Sequence, residues 1–467
     1  MQLASGTAKM NQEHEGQRDD CADVRDATAK TLLALAWPIA LSLLSYSVMT
    51  VIDTLFVSGL GTAALSGVGL GGTIAFILLC FPIGLMRAVK ILIAQSVGAG
   101  RRDDQHAYLA AGLVSSVLIG ALAMGLGYLL AEPLSRMTAT SDSGAAMRTY
   151  LRIRLLGSLP VLVHVVLEET RNALGDVRGP MRAALIANAV HIAMAYLLVS
   201  VLGCGVAGAA ATTVLCQCLE VGLVARGQAR DGFEFRRLRL RHLASLWSLG
   251  WPTAIQFALE VGSFALLGAM LAAWREVDSA AHQIAIQVSH LSFLPAFALA
   301  DASCLLVGRA VGSGRPSLVP KIARTALLLS SVYTGACTLL FALAADPITR
   351  LFTSEPELSA LTRQLLHVAC LFLIADAANA VARCILRGTG DVRVPALIGV
   401  LSAWLCTPPL TYLLGLKLGF GAVGAWTGFS LEIIVGALIL WRRVIKQSWR
   451  GAARRSYRLA QLRLTTE

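Results

Sequence analysis

Apolar residues come in long blocks along this chain, and charged residues collect in the breaks between them. Ile74 to Leu85 and Leu327 to Ala345 are two such blocks. A helix that crosses a bilayer needs about 20 mostly apolar residues, because the hydrocarbon core is about 30 Å thick. In lipid every backbone polar group must be satisfied within the structure, which leaves helices or closed barrels. Barrel strands would alternate in character, and these blocks do not. Reading the blocks against Gly, Pro and charge breaks predicts helices over 32–58, 66–97, 107–130, 148–172, 180–200 and 205–227. A second set is predicted over 244–273, 279–310, 322–345, 359–386, 394–414 and 421–442. The expected fold class is therefore an all-α membrane protein of twelve spans. The first block is too long for a signal-peptide core and reads as a retained helix.

The same words recur half a chain apart. Leu35-Ala-Trp-Pro38 returns as Leu249-Gly-Trp-Pro252, and Val97-Gly-Ala-Gly-Arg101 as Val311-Gly-Ser-Gly-Arg315, both 214 residues on. Gly175-Asp-Val-Arg178 returns as Gly390-Asp-Val-Arg393 after 215, and Gly208-Ala209 as Gly424-Ala425 after 216. A duplication of six spans puts both halves into the membrane in one orientation, related by a pseudo-twofold axis along the membrane normal. Two such bundles around a central cleft make a transporter architecture, in which the lobes rock about a site near the midplane. The expected units are an N-terminal tail (1–30), a first lobe (31–228), a basic linker (229–243), a second lobe (244–443) and a basic C-terminal tail (444–467).

Composition agrees with lipid: 56% of residues are hydrophobic and 15% charged, against about 45–50% and 25% in soluble domains. The net charge of +12 invites a nucleic-acid reading, but its distribution argues against one. Lys and Arg gather at one set of inter-span segments: Arg101-Arg102, Arg171 to Arg182, Arg226 to Arg241, Arg315 and Lys321, Arg387 and Arg393, and the tail beyond Trp441. This is the positive-inside pattern, and it places both termini in the cytoplasm of a bacterial inner membrane. Most of the ten cysteines fall inside predicted spans with no metal spacing, and read as small packing residues.

An ionisable residue inside a bilayer costs at least about 2.5–3.5 kcal/mol on insertion scales, so each needs a reason. Glu260 sits mid-way along the seventh span and Asp376 mid-way along the tenth, both in the second lobe. Two carboxylates at similar depth suit a sodium ion held with backbone or hydroxyl oxygens, or a shared proton. The plain alternative is helix glue through a hydroxyl or Asn379. Their first-lobe counterparts are Tyr46 and Val161, so the fold itself does not demand acids there. Asp53, near the external end of the first span, is a second cation-site candidate, a substrate-path residue, or an acid within reach of interfacial water. Arg87 and Asp301 are 214 apart and are candidates to pair across the lobes and hold the transporter outward-open, with Lys90 beside them. His191, His282 and His164 (one turn before Glu168) are more economically read as hydrogen-bonded core residues than as proton carriers.

Gly67-Val-Gly-Leu-Gly-Gly72 matches a dinucleotide-binding pattern but lies in an apolar span with no strand before it, so close helix packing explains it better. There is no P-loop, HExxH or GxSxG, and an ATP-driven pump or membrane protease lacks support.

Taken together, several words resemble the multidrug and toxic compound extrusion (MATE) family. They are Trp37-Pro38 with Asp53-Thr54, Gly59-Leu-Gly-Thr-Ala-Ala-Leu65 and Val97-Gly-Ala-Gly100 in the first lobe. In the second they are Trp251-Pro252 with Glu260, Ala280-Ala-His-Gln283-Ile, Val311-Gly-Ser-Gly314, and Asp376 before Leu386-Arg-Gly-Thr-Gly-Asp391. The resemblance spans roughly residues 32–443. It implies export of organic, often cationic and amphipathic compounds against inward sodium or proton flow. The acids matching Glu260 and Asp376 are the implied cation-binding pair, and the one matching Asp53 is implied in coupling or release. Two departures stand out: His191 and Ala195 stand where many relatives carry Asn and Asp or Asn on the fifth span, and Phe372 stands where some carry Tyr.

The expected function is thus a sodium- or proton-coupled antiporter without a cofactor, working as a monomer in the bilayer on a small organic substrate. Arg87, Asp301, His191, Gln283 and Phe372 are further candidates for the cleft or its gates. A flippase for a lipid-linked glycan is the alternative, weakened by few intramembrane basic residues (Arg87, Lys90, Arg383). A membrane-embedded enzyme would need a catalytic cluster, and an extracytoplasmic receptor would need a soluble domain.

Overall fold

The computed structural model describes residues 29–136 and 140–462, and helix is the regular structure throughout them. Most of the expected N-terminal tail, and residues 463–467 of the C-terminal one, lie outside the described residues. The first half comprises α1 (Ala29–Ser58), α2 (Thr62–Met86), α3 (Ala88–Gly98), α4 (Arg102–Ser135), α5 (Ser141–Leu156), α6 (Ser158–Leu174), α7 (Arg178–Ala195) and α8 (Gly205–Ala229). The second comprises α9 (Leu240–Trp274), α10 (Glu276–Gly312), α11 (Val319–Arg350), α12 (Pro356–Gly388), α13 (Arg393–Leu410) and α14 (Gly421–Ile445), followed by α15 (Arg450–Leu462). Eleven segments are long and apolar enough to cross a membrane, and twelve when α5 and α6, bent by 43°, count as one broken span.

Most span boundaries lie within a few residues of where the apolar pattern puts them; at 107, 130, 148 and 345 the helices run five to seven residues further. The differences have local causes. The second span breaks at Arg87 into α2 and α3. The fourth span breaks at Gly157 and starts at a capping threonine, the Ser143 amide donating to Thr140 Oγ1 over 3.2 Å. The fifth and eleventh spans both end in a π-helical turn, Tyr196–Val201 and Thr411–Lys417, at matching places in the repeat. The repeated Gly-Asp-Val-Arg word is a helix stop: Gly175 (φ 92°) and Gly390 (φ 84°) take the left-handed conformation that ends α6 and α12.

The expected loose ends of the second lobe are structured. The linker contains a short 3₁₀ turn, Phe235–Arg237, and α9 already begins at Leu240. The basic tail forms α15, which packs against the end of α10 near Gly314 and against Gly390.

The two halves meet reciprocally. Helix α9 packs on α2, and α10 on α1, which are equivalent contacts under the 214-residue repeat. At the end carrying the basic segments, called here the basic end, one apolar core runs through both lobes. It includes Leu85, Ile93 and Leu167 from the first lobe and Leu246, Leu306 and Ile385 from the second. Toward the opposite end the cores separate: Leu267, Phe341, Phe372 and Trp426 in the second lobe, Ala75, Leu151 and Leu155 in the first. The molecule is therefore two six-span lobes sealed to each other at the basic end.

Small residues set the approach of the helices. A β-carbon on Gly67 would stand 2.6 Å from the Ser143 carbonyl oxygen, so the glycine word of α2 is a packing surface for α5.

Candidate functional site

The second lobe holds a connected polar cluster between α9, α12, α13 and α14. Gln256 and Glu260 lie one turn apart on α9; Asp376, Asn379, Arg383 and Arg387 recur every three or four residues along α12, so each set shares a helix face. The Arg383 guanidinium meets the Glu260 carboxylate at 2.8 Å and donates through Nε to Asn379 Oδ1 at 2.9 Å. Gln256 Nε2 donates to Glu260 Oε1 (2.9 Å), and its own carbonyl accepts from Arg387 Nη2 (2.9 Å). On the α14 side, Thr407 donates its hydroxyl to Glu432. Gly399 of α13 makes room for this: a β-carbon there would stand 2.4 Å from both Gln256 Nε2 and Glu260 Oε1.

The two candidate acids share one electrostatic neighbourhood but not one partner. Glu260 is engaged by a cation of its own lobe, while the half-buried Asp376 makes no hydrogen bond or ion pair among the described residues. Its electrostatic neighbours are Arg383 and Glu260. Glu432 was missed altogether, although its position within the apolar run Phe429-Ser-Leu-Glu-Ile-Ile-Val435 of the twelfth span is the signal that finds it.

In the first lobe, His191 is fully buried on α7 and its Nε2 lies 3.2 Å from Asp53 Oδ1 on α1. The departure from the family pattern at His191 thus puts a nitrogen, rather than an amide or carboxylate, against the first-span acid. Nearby, Asn188 donates to Ser45. A second group surrounds Glu220 of α8, which neighbours Tyr46, His164 and Glu168. By the repeat, Tyr46 answers to Glu260, His164 to Asn379 and Glu168 to Arg383. Both lobes therefore carry a polar cluster at the same place, with different chemistry in each. Glu220, Glu168 and Glu169 were not picked out as interior acids from sequence.

The other candidates separate. Asp301 pairs with Lys90 at 2.5 Å rather than with Arg87. Arg87 instead places its guanidinium over the rings of Phe257 (5.5 Å) and Phe297 (5.4 Å) of the other lobe, where the aromatic faces attract the cation. Phe372 is 3% exposed and packed against Trp426 and Phe429, so it belongs to the second-lobe core and presents no face to a cleft. His282 joins the same core, accepting from Trp426 Nε1 at 3.1 Å, as expected of a satisfied histidine. Gln283, one residue on, is exposed and stands apart from both clusters.

Two helical lobes related by duplication, joined at one end and each carrying buried charge, define a multi-pass membrane transporter. The chain belongs to the MatE family, whose profile matches it twice, over residues 38–197 and 252–413. It is 30% identical over 433 residues to the "Probable multidrug resistance protein NorM" of Rhodopseudomonas palustris, covering 88% of this chain and 90% of that one. It is 28% identical over 436 residues to the "Multidrug resistance protein MdtK" of Cronobacter sakazakii, covering 89% and 94%. Among solved structures, the outward-facing conformation of a multidrug resistance MATE family transporter of the MOP superfamily superposes with a TM-score of 0.83 at 20% identity, over 90% of this chain and 96% of that chain. The eukaryotic MATE transporter AtDTX14 gives 0.82 at 19%, over 95% and 100%. At these identities the structural likeness is one of fold.

Proposed function

We propose that this chain exports organic, cationic or amphipathic compounds across a bacterial inner membrane by alternating access, driven by inward proton flow. The family and the relatives named as multidrug resistance proteins support export. The excess of Lys and Arg at the basic end supports a cytoplasmic placement of that end and of both termini, which makes the described conformation outward-facing. The chain needs no cofactor in this reading and works as a monomer.

One observation carries the coupling: Asp376 lies unpaired beside the Arg383–Glu260 ion pair in the second lobe. The guanidinium supplies fixed positive charge where a sodium ion would have to sit, which favours a proton as the coupling ion. A proton entering from the outside neutralises Asp376 and leaves Arg383 to Glu260 alone, drawing α9 and α12 together. Its loss to the cytoplasm restores the competition between the two carboxylates for Arg383. Helix α9 is also the helix that packs on α2 of the other lobe, so this exchange acts on the lobe interface. The membrane potential contributes about 2.3 kcal/mol per charge per 100 mV. Arg383, Arg387 and Lys90 are all held by side chains of the protein, which counts against a lipid-linked pyrophosphate as cargo.

The test is efflux of a cationic dye from proteoliposomes with pH and sodium gradients imposed separately. Export driven by the pH gradient, and lost in Glu260→Gln and in Asp376→Asn, is the expected result. Export driven by sodium alone would replace the proton, and normal export by either variant would remove its residue from the mechanism.

A further inference from the structure

Lys90 is 5% exposed, and its ammonium lies 2.6 Å from Glu169 and 2.5 Å from Asp301. Lys90 (α3) and Glu169 (α6) belong to the first lobe; Asp301 (α10) belongs to the second. One of the two ion bonds therefore crosses the lobe boundary and the other does not.

The surrounding contacts are symmetric. Gln95 Nε2 donates to the Gly388 carbonyl at the end of α12, and Arg309 Nη2 to the Ala173 carbonyl at the end of α6, each over 3.1 Å. Gln95 and Arg309 are 214 apart, and Ala173 and Gly388 are 215 apart, so each bond is the repeat of the other. The ion bond has no such twin. The positions equivalent to Lys90 and Asp301 are Cys304 and Arg87, which cannot form a salt bridge. A charge contact has been added to one side of an otherwise reciprocal seal.

We propose that Lys90 and Asp301 form the ion latch of the cytoplasmic gate, with Glu169 retaining Lys90 when the lobes part. The assignment rests on the alternating-access reading above, and extends it to the lobe seam, next to Glu168 of the first-lobe cluster. Separating a buried ion pair is costly when either charge is left without a partner in a low dielectric. Glu169 removes that cost for Lys90, whose ammonium keeps a carboxylate 2.6 Å away in its own lobe. Asp301 alone is left bare, and water entering the opening gate solvates it. The latch is thus strong while the seam is dry and weak once it is wet, which makes the gate two-state.

Hydrogen exchange on the purified protein tests this without any transport measurement, so it stands or falls apart from the coupling scheme. The readout is amide exchange in the turns that end α3 and α10, residues 95–101 and 308–315. Asp301→Asn is expected to speed exchange in both segments about tenfold or more, because local opening sets the rate. Glu169→Gln, which removes the other carboxylate from the same buried ammonium, is expected to leave both segments as protected as before. A merely structural charge cluster would respond equally to both substitutions, and equal exchange in the two variants, or unchanged exchange in Asp301→Asn, overturns the latch. If Asp301→Asn does not fold, the exchanged pair Lys90→Asp with Asp301→Lys is read instead. It again places one cation between two carboxylates; protection of both segments supports the latch, and their exposure overturns it.

Discussion

Gly98 lies so close to Arg309 that a β-carbon on it would stand 2.1 Å from the Arg309 carbonyl oxygen, and Gly312 stands in the same relation to Gln95, at 2.0 Å. The two contacts are related by the repeat, so backbone meets backbone on both sides of the pseudo-twofold axis. Gly98→Ala and Gly312→Ala must each push α3 and α10 apart. Overpacking of this kind costs about 1–3 kcal/mol, and a lower Tm in detergent for both variants, by similar amounts, is the expected outcome.

The Glu260–Arg383 pair predicts a double-mutant cycle. Arg383→Gln leaves a half-buried carboxylate without its cation and should destabilise the protein by about 1.5–3 kcal/mol. Adding Glu260→Gln removes that carboxylate's charge, so the double variant should recover a large part of the loss. Thermal unfolding of the four proteins checks it, and additive losses would mean that the two groups are not coupled in the folded state.

Gly399→Ala should act through the same cluster. The new methyl group falls on Gln256 and Glu260 together, so their hydrogen bond cannot keep its geometry. A hydrogen bond to a charged group contributes about 1.5–3 kcal/mol, so export should fall by roughly tenfold or more. Dye efflux in proteoliposomes, normalised to folded protein, is the measurement.

Asp53 and His191 touch, and their substitutions should therefore be non-additive. Asp53→Asn and His191→Gln are each expected to slow export, with the double variant no slower than the worse single one. Rates that multiply would place the two residues in separate steps.

Membrane sidedness can be read from one native thiol. Cys204 is exposed in the connection between α7 and α8, at the end opposite the basic segments. A membrane-impermeant maleimide applied to intact cells should label the protein, and Cys204→Ala should abolish that labelling. Labelling confined to opened cells would invert the topology.

Fold class was legible because hydrocarbon imposes a long-wavelength signal that survives in sequence. Blocks of about 20 apolar residues marked the spans, and the recurrence of Leu-x-Trp-Pro and Gly-Asp-Val-Arg marked the duplication. The breaks at Arg87 and Gly157 were harder, since a kinked span keeps its hydropathy on both sides of the kink. The acids Glu260, Asp376, Asp53 and Asp301 stood out against apolar neighbours. Glu168, Glu169 and Glu220 lie closer to the basic ends of their spans, where a charge is unsurprising, so none of them stands out as an interior acid.

The sequence by itself determined that this chain crosses a membrane as two copies of one helical bundle, that Glu260, Asp376, Asp53 and Asp301 carry charge into the apolar layer, and which family words it bears. Those properties are written locally, in runs and repeats. Tertiary structure decided which polar groups meet: that Arg383 takes Glu260, that His191 reaches Asp53, and that Lys90 rather than Arg87 binds Asp301. Lys90 lies nearly a turn beyond Arg87, which sits at the break before α3, and both lie on the seam. Their partners depend on helix rotation and lobe approach, which are set by glycine contacts 200 residues apart and leave no periodic trace along the chain.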